Sequence, residues 1–131
     1  MRYILILIAF LFYLQDAEGQ IRLKYSKSQI KNEFSDEKYK LDETVTNDFN
    51  GVSIFNERVN LLYLFNTNEV CFACILIPHT DKILNDYIQF YNDNYVTISD
   101  KEWKMYSKNT VASIELVYTE KRPALRWLLK E

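Results

Sequence analysis

The fold is decided by the stretch NLLYLFNTNEVCFACILIP, which runs from Asn60 to Pro78. It holds two apolar runs, 61–65 and 70–77, that are rich in aromatic and β-branched residues, and such runs are typical of β-strands. The polar residues 66–68 between them are turn material, so the pattern predicts a β-hairpin. Both runs are apolar on both faces, which is typical of strands in the middle of a sheet with cover on each side.

A helix is predicted directly after the hairpin. Pro78 ends the second strand, because proline cannot donate to the strand ladder, and Thr80 or Asp81 can cap a helix over about 81–92. The apolar residues of this segment recur with the helical period and form one stripe on the helix surface: Ile83, Leu84, Tyr87, Ile88 and Tyr91. One stripe can cover one face of the hairpin.

A shorter helix is predicted before the hairpin. Ser26 and Gln29 match the capping box that begins many helices, and the helix should end near Phe34. We expect this first helix to cover the hairpin face that the second helix leaves open, anchored by Ile30 and Phe34. A second copy of the chain or a partner is the alternative cover. Residues 35–50 are polar with isolated apolar positions, and they leave a ragged strand and a long loop equally open.

Further strands complete two similar halves of the chain. The remaining apolar runs predict strands at 52–55, 95–98, 103–106, 111–118 and 125–129. Each half, 26–77 and 80–129, is then a helix followed by strands, and a weak internal repeat lays residues 60–75 over 113–128. Whether this repeat is a true duplication stays open. The predicted fold class is α+β, with two short helix-plus-antiparallel-strand units that form a mainly antiparallel sheet with helices packed on it.

The beginning of the chain, residues 1–19, has the pattern of a secretory signal peptide. Arg2 precedes an apolar run over 3–14, and Ala17 and Gly19 are small residues at the positions that signal peptidase reads. The apolar run is too short for a membrane span, which needs ~20 residues. We therefore predict an exported protein, periplasmic or extracellular. Its mature chain, 20–131, is one domain with no stable membrane anchor after cleavage.

The opening phrase of the first helix, followed by the predicted hairpin, matches a known pattern. Residues 26–30 read Ser-Lys-Ser-Gln-Ile, and 61–77 would form a hairpin or meander after them. In this order the chain resembles the β-lactamase-inhibitor-protein-like domains and the small outer-membrane-assembly lipoprotein (SmpA/OmlA) domains of bacteria. It departs from them at 35–37, which read Ser-Asp-Glu instead of Gly-x-Pro, and no lipobox cysteine ends the leader. The resemblance implies an exported bacterial domain that binds rather than catalyses.

Charge and glycine content argue against two classes of ligand. The chain has 16 Lys and Arg against 18 Asp and Glu, interspersed along its length, whereas nucleic-acid-binding proteins usually carry a basic field. Gly51 is the only glycine outside the leader, so the glycine-rich loops that hold nucleotide phosphates cannot form. We therefore predict no nucleic acid and no cofactor among the ligands of this domain.

Cys71 and Cys74 form a C-x-x-C motif, but the motif lies in a predicted strand. A redox motif of this kind needs a helix N-terminus that lowers the pKa of the first thiol. In a regular strand, positions i and i+3 point to opposite faces, so the two sulfurs cannot reach bonding distance. Zinc would need two further ligands, and the chain has one histidine. We predict two buried free thiols and no metal site.

Two groups of residues remain as functional candidates. His79 could act as a general base with a nearby carboxylate in a small secreted hydrolase, although no glycine-containing nucleophile elbow accompanies it. Six aromatic residues fall in the predicted sheet: Tyr63, Phe65, Trp103, Tyr106, Tyr118 and Trp127. Exposed Trp and Tyr on a rigid sheet are typical of binding surfaces, and filling the core is their alternative role.

We therefore predict a non-enzymatic binding or interaction domain, with a protein partner or a second copy of itself bound through the six aromatic residues. Two alternatives are kept. One is the hydrolase that uses His79, which a cleft with an acidic partner would favour. The other is an obligate homodimer that buries one face of the sheet.

Overall fold

The computed structural model describes residues 22–36, 39–120 and 122–130, which fold into two helices and eight strands. In chain order the elements are α1 (Lys27–Glu33), β1 (Lys40–Val45), β2 (Asn50–Phe55), β3 (Val59–Phe65), β4 (Cys71–Pro78), α2 (Asp81–Asn94), β5 (Val96–Ser99), β6 (Glu102–Tyr106), β7 (Val111–Tyr118) and β8 (Pro123–Lys130). The predicted α+β class is confirmed in this broad form, although strands contribute most of the structure. Neither of the two described helices is long and apolar enough to cross a membrane. The predicted signal peptide, 1–19, lies outside the described residues.

All eight strands form one sheet in the order β1-β2-β3-β4-β8-β7-β6-β5, and every neighbouring pair is antiparallel. Each half of the sheet is a four-stranded meander preceded by a helix. The two meanders meet where β4 pairs with β8, at four residue pairs, whereas eight pairs join β7 to β8. Cys74 and Trp127 are partners across this seam, and the internal sequence repeat also equates them. The strand order therefore has an internal two-fold symmetry.

Local sequence signals account for the N-terminal ends of both helices. Ser26 Oγ accepts a hydrogen bond from the Gln29 amide at 3.1 Å, and Gln29 Oε1 accepts one from the Ser26 amide at 2.8 Å, so the predicted capping box is confirmed. Thr80 caps α2, since its hydroxyl accepts from the Ile83 amide at 3.2 Å. The segment 35–50, for which the sequence allows either a ragged strand or a long loop, contains β1 at the exposed edge of the sheet.

Both helices pack on the same face of the sheet, so the prediction that α1 covers the face opposite α2 is wrong. Tyr63, Cys74 and Trp127 lie opposite one another on β3, β4 and β8, which puts their side chains on one face. Phe34, just after α1, packs with its ring centroid 6.2 Å from that of Tyr63, and Tyr91 of α2 accepts a hydrogen bond from Trp127 at 3.0 Å. Eight strands at ~4.8 Å spacing are wider than one helix of ~10 Å, so two helices are needed to cover this one face.

The core between α2 and the sheet is aromatic. Its rings are packed at centroid distances of 5.5 to 6.4 Å and belong to Tyr87, Phe90, Tyr91, Tyr95, Trp103 and Trp127. Both indole N–H groups have partners, because Trp103 donates to Asn92 at 2.8 Å and Trp127 donates to Tyr91. Burial raises the pKa of the Tyr91 hydroxyl well above its usual value, so this hydroxyl stays protonated in the core.

A β-bulge changes the direction in which the two cysteines point. The register of β3 and β4 shifts between Leu64 and Phe65 and skips Phe72, so Cys71 and Cys74 share the helix-covered face. The expectation that they point to opposite faces is therefore wrong, because it assumed a regular strand. Both thiols are free and buried, as predicted. Burial raises the pKa of Cys71 to about 12 and that of Cys74 well above its usual value.

We expect the native protein to be inert to a thiol reagent at pH 8, since with a pKa of about 12 roughly one Cys71 thiol in ten thousand is ionised. The denatured, unreduced protein should titrate as two thiols. The double variant Cys71→Ala/Cys74→Ala should still fold and lose a few kcal/mol at most, because it leaves small cavities and removes no crosslink. A denatured protein without free thiols would contradict this prediction.

Ion pairs fasten α1 to the first meander. The ammonium of Lys27, which is nearly buried, lies 2.9 Å from a carboxylate oxygen of Glu43 and 3.0 Å from one of Glu69. Lys31 lies 2.8 Å from the other oxygen of Glu43. Hydrogen bonds from Lys31 and Lys27 lower the pKa of Glu43, and those from Asn50 and Lys27 lower the pKa of Glu69. The network links α1 to β1 and to the turn between β3 and β4.

This network predicts a stability difference that depends on pH. Because both glutamates have folded-state pKa values below the ordinary value of 4.5, their contribution is complete above that pH and is lost as the pH falls through the folded-state values. Lys27→Met should therefore lower the midpoint of urea unfolding at pH 7, and the difference from wild type should shrink at pH 3. Lys82→Met is the control, since Lys82 forms an exposed pair with Asp86 at 3.5 Å. A difference that is the same at both pH values would contradict the assignment.

Candidate binding surface

The aromatic residues predicted to form a binding surface do not lie together on one surface. Four are buried on the helix-covered face, at exposures of 4 % or less: Tyr63, Phe65, Trp103 and Trp127. Tyr106 and Tyr118 are 60 % and 68 % exposed, but the strand registers put Tyr106 on the opposite face from Tyr118. The expectation of an exposed aromatic cluster is thus corrected, because alternation along the strands directs four of the rings into the core.

The other face of the sheet carries none of the described helices, and we call it the helix-free face. Its centre is a set of half-buried aliphatic side chains from β3, β4 and β8, which we call the aliphatic strip: Leu62, Leu64, Ile75, Ile77 and Leu128. Leu62 lies directly opposite Ile75, and Leu64 and Leu128 lie on either side of Ala73. The strip is therefore continuous across the seam between the two meanders.

Two phenylalanines lie beside the strip, at the two ends of β2. Phe55 is on the helix-free face, where the Lys40 ammonium lies 5.9 Å from its ring centroid. Phe49 folds over Gly51, because a Cβ at Gly51 would lie 2.8 Å from the Phe49 ring. The one described glycine thus makes room for an aromatic side chain on this face. From the sequence, Gly51 is considered only as a glycine too isolated for a phosphate-binding loop, and this contact is not predicted.

The half of the helix-free face that belongs to β6, β7 and β8 is charged. Its ionisable side chains alternate with the buried ones along the strands: Glu102, Lys104, Glu115, Arg126 and Lys130. Arg126 forms an ion pair with Glu115, its direct partner on the neighbouring strand. The face is therefore divided into an aliphatic part on β3 and β4 and a charged part, and the two meet at Leu128.

The edges of the sheet are less suited to binding than this face. At one edge β1 carries the charged residues Lys40, Asp42 and Glu43. At the other edge β5 has four residues, and its register shifts between Thr97 and Ser99. Charges, short length and bulges all hinder the addition of another strand to an edge.

His79 holds turns together at the end of β4. Its Nδ1 lies 3.0 Å from the Glu57 carbonyl oxygen. Nε2 lies 2.9 Å from the side-chain oxygen Oδ1 of Asn60, and the His79 carbonyl accepts a hydrogen bond from Arg122 at 3.2 Å. Both ring nitrogens thus have neutral partners, and neither meets a carboxylate of the described residues. In the part of the chain that the structure describes, the His79 ring therefore has no acidic partner of the kind that the hydrolase alternative requires.

Comparisons with protein-family models, with curated proteins and with solved structures find no match to this chain. The resemblance to the two bacterial families stays a prediction from the helix and strand order.

Proposed function

We propose that this protein is an exported, non-enzymatic binding domain that recognises another polypeptide through the helix-free face. The observation that carries the proposal is the aliphatic strip, five large side chains that remain only partly buried on the sheet. Continuous apolar surface of this kind is typical of interaction sites.

The energetics of the strip support a bound partner. Complete burial of one Leu or Ile side chain contributes ~1.5–3 kcal/mol. Each residue of the strip is only partly buried in the isolated domain, so a partner that covers it would add the remaining part of this free energy. Because neighbouring strands hold the side chains in place, little conformational entropy is lost when a partner covers them. The exposed charges around the strip would form the polar rim that protein interfaces usually have.

Site-specific photo-crosslinking tests the proposal. A photo-crosslinking amino acid is placed at Leu62 on the helix-free face or, as the control, at Gln89 on the exposed side of α2. With exported proteins of the source cells, position 62 should give a discrete adduct that position 89 does not give. The adduct is then identified and purified, and a second copy of this chain is one permitted partner.

A binding measurement with the purified partner completes the test. The double variant Leu62→Thr/Ile75→Thr keeps good strand formers and removes two adjacent apolar side chains of the strip. It should melt like wild type and bind the partner about tenfold or more weakly, since each 1.4 kcal/mol lost is a factor of ten. Equal adducts at positions 62 and 89, or unchanged affinity of the double variant, would overturn the proposal.

A further inference from the structure

Lysines are concentrated at one end of the sheet, and two of them lie on the helix-free face. The strand registers place Lys104 in the same row as Ser113 and Leu128, and Lys130 in the next row, beside Val111. Two more lysines lie at this end of the sheet. Lys108 is exposed in the turn after β6, and Lys24 donates a hydrogen bond to the carbonyl of Asn109 in the same turn. We call these four lysines the basic corner.

The charge of the basic corner is not neutralised within the described part of the chain. The ion pairs of the described residues are formed by cations outside the corner, for example by Arg126 with Glu115 and by Lys31 with Glu43. Two acidic residues of the helix-free face form none of these ion pairs: Glu102, two residues from Lys104 on β6, and Asp42, at the far edge of the sheet on β1. The whole chain has a formal net charge of −2, so a corner with four cations is a local departure from its average.

The basic corner adjoins the aliphatic strip. Lys130 follows Leu128 by two residues on the same face of β8, a separation of ~7 Å, and Lys104 lies two strands from Leu128, ~10 Å away. A polypeptide segment with an apolar stripe and carboxylates along one side could reach both features at once. Tyr106, 60 % exposed on the same face, adds a hydroxyl and an aromatic surface between the lysines.

The partial burial of the strip favours a polypeptide over a lipid surface. Basic residues beside apolar ones also occur in proteins that bind anionic membranes, but those proteins insert protruding apolar side chains into the bilayer. Here the five side chains of the strip are half-buried among their neighbours. Partner side chains that project into the strip can reach them. A second copy of the chain is disfavoured, because it would bring another basic corner to the interface.

We infer that the partner of the helix-free face is an acidic amphipathic polypeptide segment, with its apolar side chains on the aliphatic strip and its carboxylates at the basic corner. This inference rests on the proposed function and adds the charge of the partner to it. Charge complementarity of this kind fixes the orientation of a bound segment and makes its affinity depend on salt.

Selection from a library of random displayed peptides tests the inference. Peptides are selected on wild type and counter-selected on Leu62→Thr/Ile75→Thr, so that the survivors depend on the strip. The expected survivors combine a helical or alternating apolar pattern with net negative charge. Survivors that are neutral or basic would overturn the acidic partner and leave the proposed function standing. The absence of any strip-dependent peptide would count against both.

Charge reversal then tests the role of the basic corner with one selected acidic peptide as the probe. Lys104→Glu/Lys130→Glu should weaken its binding about tenfold or more at low salt, and added salt should weaken wild-type binding. Lys82→Glu, on the exposed side of α2, is the control for charge reversal away from the corner and should leave the affinity within about twofold, or ~0.4 kcal/mol. Equal effects of the two variants would overturn the inference. So would binding to phosphatidylglycerol-containing vesicles that is lost in Lys104→Glu/Lys130→Glu, because it would assign the corner to lipid.

Discussion

Trp127→Ala is expected to lower the free energy of unfolding by about 3–5 kcal/mol, the range typical of a large aromatic side chain removed from a core. Trp127 is fully buried and lies opposite Cys74 at the seam of the two meanders. Its ring centroid lies 5.6 Å from those of Tyr91 and Tyr95. The substitution also removes the indole donor from the buried Tyr91 hydroxyl, which adds to the cost.

Urea unfolding followed by far-ultraviolet circular dichroism measures this loss. Arg126→Ala is the matched control, because Arg126 is the neighbouring residue on β8 but is exposed on the helix-free face. We expect the control to change the free energy of unfolding by less than about 1 kcal/mol. A loss below about 1 kcal/mol for Trp127→Ala would mean that the aromatic core does not hold the two meanders together.

Ile30→Asp is the second large effect, with an expected loss of about 3–5 kcal/mol or complete unfolding. Ile30 has no exposed surface and belongs to the core under α1. The variant places a carboxylate in an apolar environment, where it must either remain charged without a partner or take up a proton. Either outcome lowers the free energy of unfolding, which is only ~5–15 kcal/mol for a typical domain.

Ser28→Asp is the control for Ile30→Asp, because Ser28 lies on the exposed side of the same helix. An acidic residue in the first turn of a helix is neutral to slightly stabilising. Thermal and urea unfolding of both variants should therefore separate the two sides of α1. If Ile30→Asp unfolds like wild type, α1 does not pack on the core, and the assignment of the helix-free face fails with it.

The elements of this fold could be predicted because their signals are local. The capping box at Ser26 and Gln29, the strand end at Pro78 and the cap at Thr80 each act within a few residues. Strand β7 shows which of its faces is buried, since apolar residues there alternate with Ser113 and Glu115. Such signals need no knowledge of distant parts of the chain.

The covered face of β3 and β4 could not be predicted in the same way. Tyr63 and Leu62 are both apolar, so alternation does not say which of them faces the helices. That choice depends on the pairing of β4 with β8, which joins residues far apart in the sequence. The apolar pattern on both sides of β3 is nevertheless the signal for the proposed binding surface, because it indicates a second apolar face on the sheet.

The directions of the two cysteines were missed for a related reason. Cys71 and Cys74 are spaced for opposite faces of a regular strand, and nothing in their spacing shows that the register skips Phe72. A bulge is set by the pairing of two strands rather than by one of them. The prediction that both thiols are buried is confirmed, because it depends on the apolar character of the whole strand and not on its register.

The seam between β4 and β8 has a consequence for the rate of folding. It is the one place in the described sheet where strands distant in sequence pair, since every other pair joins consecutive strands. Each meander can form through short turns, whereas the seam requires closure of a long chain segment, and closing it costs entropy before any contact is gained. We therefore expect docking of the two meanders to limit folding, so that substitutions at Cys74 and Trp127 slow folding more than they accelerate unfolding.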